Sequence, residues 1–432
     1  MPLPYSLTSL SPMRTFTLIW FGQLVSTIGS KMTWFALTIW AWEVTGSATA
    51  LALVGFFSQM PRIPITLVAG LIVDRFNRKQ LMILGDTVAA LSTVGIGLLF
   101  LTDSLQIWHI YGAAMLNGGF GQIQSLAYQT SISSMVSPHH LTRANSMNST
   151  VHYGSAIFGP AVAGVLYPLI GLMGILLIDL VTFGVAIATL LSVHISQPVP
   201  QPTPEIETRL AKLTFGFREV WRQPSLRSLL LITAAFWFFH DLGGAIYDPM
   251  ILARTSSSAQ ILASTASAAG IGGVTGAILL SFWGGPKRRV TGMLAGFIGA
   301  GLSKTVFGLG RVPQIWIPAQ FCSSLHFPLL GSSETALWMT QVTPEKQGRV
   351  FAANALVLQG TSAIATLMAG PLADQMFEPL LMPGQKLLPG LDHIFGVGPG
   401  AGMAVLYVLC SLCMMLIGSI GFFIRNLRDI EG

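Results

Sequence analysis

"GLIVDRFNRK", residues 70–79, crowds Asp74, Arg75, Arg78 and Lys79 together at the end of a long, mostly uncharged run. An apolar run that stops abruptly on a knot of charges marks the edge of a hydrocarbon layer. The rest of the chain agrees. Of its 432 residues 52% are hydrophobic and only 9% are charged, whereas a water-soluble surface draws on roughly 25% charged residues. The sequence is therefore read as an integral membrane protein, and the alternation of a β-barrel is missing. Roughly 20 apolar residues make one spanning helix, so this length holds about twelve. The expected spans are 15–43, 47–73, 80–101, 107–135, 146–169, 171–194, 228–252, 259–283, 290–310, 315–341, 351–377 and 402–424. The first is too long for a cleaved signal and is read as retained.

The net charge of +6 invites a nucleic-acid partner, but the placement of the bases argues against one. Arg14, Arg75, Arg78, Lys79, Arg143, Arg209, Lys212, Arg218, Arg222, Arg227, Lys287, Arg288, Arg289, Lys346, Arg349, Arg425 and Arg428 fall on one side of the expected spans. Arg254, Arg311 and Lys386 fall on the other. Loops rich in Lys and Arg stay in the cytoplasm, so both termini are expected there. Three bases, Lys31, Arg62 and Lys304, lie inside spans.

Enzymatic chemistry finds no foothold. Cys410 and Cys413 form a CxxC within an apolar span, with no second ligand pair, and read as packing rather than as a metal or redox site. "GAGLSKT" (299–305) lacks the Gly-Lys adjacency of a phosphate loop and sits inside a span. The expectation is a non-enzyme with no metal, cofactor or nucleotide.

A faint repeat organises the chain. "SPHHLTR" (137–143) and "TPEKQGR" (343–349) share a pattern, and Ala163-Gly164 and Ala369-Gly370 recur at the same offset. Two parallel six-helix halves follow, at 1–196 and 226–432, with binding expected between them near the midplane. The linker, 197–225, opens with alternate prolines from Pro198 to Pro204 and continues with Ile206, Leu210, Leu213, Phe217, Val220 and Trp221 at helical spacing. It reads as a stiff tether and then an amphipathic helix along the cytoplasmic face.

Gly70 stands one turn before Asp74, which lets another helix approach the place where an acid and three bases are held in a tight connection. An Asp there can accept from the positive N-terminus of a helix, and such a cluster would form in one conformation and break in another. The stretch resembles the loop motif of the major facilitator superfamily, Gly-x-x-x-Asp-Arg-x-x-Arg-Lys. "FGQLVSTIG" (21–29), "LTRANSMNS" (141–149), "FGFREVWRQPSLRSLLL" (215–231), "QGRVFAAN" (347–354) and "FGVGPGAG" (395–402) resemble its efflux branch, which includes macrolide exporters and the enterobactin exporter. The resemblance covers essentially the whole chain. It implies an all-α membrane fold of twelve helices in two halves and a proton-coupled exporter. It further implies a lock of Gly70, Asp74, Arg75, Arg78 and Lys79 that closes the cytoplasmic side in one state. Two departures stand out. "YGAAMLNGGFG" (111–121) lacks the Arg that many drug exporters carry there, and Gly284-Gly285 replace the Asp-Arg pair in the second half.

"GSAIFGPAVAG" (154–164) holds small residues at four-residue spacing around Pro160, and "SAAGIGGVTG" (267–276) does the same. Such stripes bring helix backbones together. Gly154, Gly159, Pro160 and Gly164 of the fifth span are therefore expected to seal against Gly272 and Gly276 of the eighth. Ionisable residues inside spans point to a transport path, because each costs a few kcal/mol unless paired or wetted. With the first, fourth, seventh and tenth spans lining a cavity, the candidate lining is Lys31, Trp34, Arg62, Asn117, Gln124, Tyr128, Trp237 and His326. Asp241 and Glu334 are the candidate proton carriers. Asp86, Asp179 and Lys304, on peripheral spans, read as structural.

The sequence thus predicts a monomeric, proton-coupled exporter of an amphipathic small molecule, such as a siderophore or drug, embedded in the lipid bilayer. A lysophospholipid flippase, or a membrane receptor or scaffold that transports nothing, stands as the alternative. Lys31 and Arg62 have no acid within a turn of their own helices, so the cavity favours an anionic or metal-chelating substrate unless Asp241 pairs with them.

Overall fold

The computed structural model describes residues 12–193, 195, 209–382 and 390–431. Among them there is helix and connecting turn and no strand. The helices are α1 (Pro12–Thr45), α2 (Ala48–Gln59), α3 (Arg62–Arg75), α4 (Arg78–Leu101), α5 (Ile107–Met135), α6 (Leu141–Leu191), α7 (Arg209–Arg222) and α8 (Pro224–Arg254). They continue as α9 (Ala259–Trp283), α10 (Arg289–Leu309), α11 (Pro313–Leu325), α12 (Phe327–Gln341), α13 (Pro344–Pro371), α14 (Leu391–Phe395), α15 (Ala401–Gly421) and α16 (Arg425–Arg428). Eight described helical stretches are long and apolar enough to cross a membrane. The proline run of the linker lies outside the described residues.

Local chemistry sets the boundaries. The Asn77 side chain caps α4 by accepting from the backbone N–H groups of Lys79 (3.0 Å) and Gln80 (3.3 Å). Ser258 starts α9 by accepting from Ile261 N–H, and Gly284 ends it in the left-handed region at φ 79°. Four expected spans prove discontinuous or fused. The second breaks at Met60-Pro61 into α2 and α3, because Pro61 has no N–H to carry the ladder and its ring crowds the preceding turn. The tenth breaks at His326, just before the Phe327-Pro328 pair that opens α12. The fifth and sixth run together as α6, interrupted only at Gly171, whose φ of 63° and ψ of −171° suit glycine.

The described chain forms two compact units. Of the described residues, those up to 37 and those from 60 to 195 make unit 1, and those from 38 to 59 and from 209 onward make unit 2. The end of α1 and all of α2 thus group with the second unit, although sequence order places them with the first half. In unit 1, Phe16, Ile19, Met82, Ala127, Tyr128, Ile132 and Leu190 build a buried cluster. In unit 2, Leu226, Leu229, Phe236, Met293, Leu294, Phe297, Leu337 and Met414 build another, with Phe236 and Phe297 stacked at 3.8 Å.

The α7 helix sits on the start of α13. Glu219 accepts from Lys346 Nζ at 2.9 Å, while Phe215 lies beneath Lys346 (6.0 Å) and Arg349 (5.0 Å). That hydrogen bond from Lys346 holds the Glu219 carboxyl below the ordinary carboxylate range. The predicted apolar stripe divides: Gly216 and Val220 face inward, and Phe217 (39% exposed) and Trp221 (59%) face out.

Candidate functional site

The charge-rich connection at 74–79 is tied into unit 1 by its bases. Arg78 Nη1 donates to Thr130 O of α5 at 2.8 Å, and Lys79 Nζ donates to Val193 O (2.7 Å) and Leu191 O (3.3 Å) at the tail of α6. Lys79 thus serves carbonyls that the end of α6 leaves without a partner of its own, while Arg78 ties the connection to α5. Arg75 is exposed, and the side chains of Gly70 and Asp74 lie outside the described residues.

The small-residue stripes find their close partners inside their own units. A Cβ on Gly159 would stand 2.5 Å from Lys31 Cβ, so α6 rests against α1 there. A Cβ on Gly272 or Gly276 would collide with the backbone carbonyls of Phe321 and Leu325, so α9 rests against α11. Within its own unit the close neighbour of the first stripe is α1 and that of the second is α11. A stripe of small residues says that a backbone comes close without saying which. Gly164 is buried, and Gly154 and Pro160 are half-buried in the same helix.

Of the candidate lining in unit 1, Lys31, Arg62 and Asn117 are exposed, Trp34 is 41% exposed and Gln124 is half-buried. Lys31 and Arg62 are near enough for their charges to act on each other, and neither makes an ion pair among the described residues. Tyr128 is 8% exposed and belongs to the buried cluster of unit 1.

Unit 2 gathers aromatic rings around its carboxyls. Trp237 is half-buried and lies 5.1 Å from His240 and 6.0 Å from Phe327. Glu334 of α12, 8% exposed, has the Trp237 side chain beside it. Asp241 is half-buried near Ser362, whose hydroxyl donates to Gln59 Oε1 at 3.3 Å. His326 is spoken for locally: Nδ1 is 2.7 Å from Cys322 O, and the ring covers Gly299 of α10. Lys304 is 7% exposed and donates to the Tyr407 hydroxyl at 3.3 Å.

Two acids set aside as peripheral turn out to organise unit 1. Asp86 of α4, 2% exposed, accepts from Gln124 Nε2 (2.6 Å) and Gln23 Nε2 (3.1 Å). Asp179 of α6, 1% exposed, accepts from Thr33 Oγ1 (2.7 Å) and, at 3.4 Å each, from Ser30, Thr93 and Thr182. No local sequence signal announces either, because their partners come from other helices.

A further contact, also unforeseen, is made by Asp374 at the end of α13. Its carboxylate accepts from Ser47 Oγ (2.6 Å), Thr49 N–H (2.8 Å) and Ala48 N–H (3.0 Å), at the N-terminus of α2. Gly370, one turn earlier, brings the backbone of α13 against Thr49. No group of three or more His, Cys, Asp or Glu that could hold a metal ion occurs among the described residues.

Comparison with known proteins fits these features. Residues 19–374 match the family described as the Major Facilitator Superfamily. The chain is similar to macrolide efflux protein A of Streptococcus pyogenes, 24% identical over 363 residues, spanning 84% of this chain and 90% of that one. It is likewise similar to the multidrug efflux pump Tap of Mycolicibacterium fortuitum, 23% identical over 426 residues and 96% of each chain. Among solved structures, a bacterial homologue of the iron transporter ferroportin in an inward-facing state aligns with a TM-score of 0.65 at 16% identity, over 97% of this chain and 99% of that one. A POT family transporter in complex with 5-aminolevulinic acid aligns with a TM-score of 0.71 at 10% identity, over 95% and 96% of the chains. With the loop motif, the apolar helices and this match over most of its length, the chain belongs to the Major Facilitator Superfamily of membrane transporters.

Proposed function

We propose that this protein is a proton-coupled exporter of an amphipathic organic molecule and works by alternating access. The observation that carries the reading is the pair Lys31 and Arg62: two bases inside apolar spans, exposed, without an ion pair among the described residues. A base in such a place costs roughly 2.5–3.5 kcal/mol unless water or a ligand solvates it. A wetted path through the membrane satisfies it, and a closed structural bundle does not. Likeness to a macrolide efflux protein and a multidrug efflux pump supports the outward direction and an organic cargo, a drug or a siderophore. Asp241 and Glu334 are read as proton carriers, since each lies within an apolar helix and makes no ion pair among the described residues. The 70–79 connection is read as the charge lock of the cytoplasmic side, with Gly159, Gly272 and Gly276 supplying the close helix packing a moving bundle needs. The protein is read as a monomer in the bacterial inner membrane with both termini in the cytoplasm.

The test uses purified protein in liposomes, loaded with ethidium, erythromycin or 2,3-dihydroxybenzoate, with a pH gradient imposed across the bilayer. Movement of at least one probe that collapses with the gradient is expected. If no probe moves, the exporter reading fails and the receptor or scaffold reading takes its place. Transfer of a labelled lysophospholipid alone, independent of the gradient, would favour a flippase.

A further inference from the structure

Asp86 lies eight residues into α4, about 12 Å along the helix, well inside a hydrocarbon layer roughly 30 Å thick. It is 2% exposed, yet no Lys, Arg or His pairs with it. What meets it is a pair of side-chain amides. Gln124 Nε2 serves one carboxyl oxygen at 2.6 Å, Gln23 Nε2 serves the other at 3.1 Å, and Gln124 Nε2 also reaches Gln23 Oε1 at 3.4 Å.

An amide is both donor and acceptor, and this decides what the cluster can do. With the carboxyl ionised, both amides present N–H to it. With the carboxyl protonated, one amide turns over and presents its oxygen to the new O–H. A lysine or arginine in the same place would clamp the ionised form and forbid the second state. Two side-chain contacts also fall short of the several oxygen ligands that a metal cation requires. The charged groups on the elements packed around Asp86 are accounted for separately. Asp179 of α6 is held by its own hydroxyls, Tyr128 of α5 lies one turn past Gln124 and is buried, and Lys31 of α1 is two turns past Gln23 and exposed. Of the three members only Gln124 is half-buried; Asp86 and Gln23 are buried.

We infer that Asp86 is a proton-binding site of unit 1, taking its proton from water and returning it by way of Gln124. As a coupling site in transport it rests on the exporter reading; as a titrating group it stands independently. This places a protonation site in the unit that holds Lys31 and Arg62, in addition to Asp241 and Glu334 of unit 2.

The test is infrared difference spectroscopy of the full-length protein in phosphatidylcholine bilayers, stepped from acid to alkaline pH. The wild type should show C=O stretching from buried protonated carboxyls that is lost as pH rises, and Asp86→Asn should remove one component of it. Gln124→Lys keeps Asp86 but supplies a fixed cation, so it should remove the same component. It also keeps the test decisive should Asp86→Asn fold poorly. A spectrum unchanged in either variant overturns the inference. In the same bilayers, Asp86→Asn should lose gradient-driven ethidium movement while retaining ethidium exchange at equal pH; retained gradient-driven movement overturns the coupling role. If the wild type moves no probe under a gradient, the exporter reading fails while the spectroscopy still decides whether Asp86 titrates.

Discussion

Replacing Asp374 by Ala removes three hydrogen bonds at once from the start of α2. The carboxylate serves Ser47 Oγ, Ala48 N–H and Thr49 N–H, two of them otherwise unpaired donors of a helix N-terminus. Loss of an N-cap costs about 1 kcal/mol, and loss of a negative charge from the positive end of a helix dipole about 0.3–1 kcal/mol more. Ser47 Oγ still accepts from Ala50 N–H at 3.2 Å, so the end is not stripped bare. The net is about 2 kcal/mol, which at 1.4 kcal/mol per decade shifts the docking of α2 on unit 2 by about thirtyfold. Ala52, at 2% exposure, reports that docking. With Cys322, Cys410 and Cys413 replaced, a cysteine at Ala52 should react with a membrane-impermeant maleimide up to about thirtyfold faster in the Asp374→Ala background than with Asp374 intact. Asp374→Asn, which keeps an acceptor oxygen, should fall between. An unchanged rate would refute the reasoning, because it would mean that the carboxylate contributes nothing to seating α2.

Gly159→Leu must place a side chain where Cβ alone already stands 2.5 Å from Lys31 Cβ. Overpacking of about 1–3 kcal/mol should displace α1 or α6 and abolish probe efflux in the liposome assay, with inserted protein still detectable; normal efflux would count against the close approach. Lys31→Ala and Arg62→Ala each remove one uncompensated exposed charge, worth about 1 kcal/mol. Efflux of 2,3-dihydroxybenzoate should weaken about fivefold in each while ethidium is spared, and equal loss for both probes would mark a structural role instead. Because Lys346 lowers the Glu219 carboxyl in the folded state, their contact stabilises α7 at pH values above the ordinary 4.5 of a glutamate and is lost as pH falls through the lowered value. Proteolysis of the α7 region should therefore accelerate in acid in the wild type. Lys346→Ala should be cleaved at the acid rate already at neutral pH, and a wild-type-like acid response in that variant would break the link.

The spans with sharp local signals were legible in the sequence. The bounds expected for α5 and α9 are the ones observed, because Gln106 pairs with His109 at one start, Ser258 caps the other, and Gly284 ends α9 in a conformation that suits glycine. The breaks at Met60-Pro61 and His326 were less legible, since a proline inside an apolar run can bend a helix or end it, and neighbouring helices decide which. The glycine stripes announced close packing but not which backbone within each unit makes it. Asp86 and Asp179 were set aside because helix order alone placed them at the periphery. Their meaning comes from Gln23, Gln124, Thr33 and Thr93, which converge only in three dimensions. The allegiance of α2 to unit 2 rests on Asp374, more than three hundred residues away in the chain, and no window of sequence can display that.

Lys31 and Arg62 give the resting protein an appetite for salt. On the exporter reading, these two exposed bases, close enough for their charges to act on each other, hold a positive potential that draws chloride, phosphate or bicarbonate from the medium. On the same reading an anionic cargo bound there would displace those ions, so loading would be an exchange of one anion for another. Apparent affinity then falls as ionic strength rises and the Debye length shrinks from about 30 Å at 0.01 M toward about 8 Å at physiological salt. The buffer chosen for an experiment is accordingly a competitor, and phosphate competes differently from chloride.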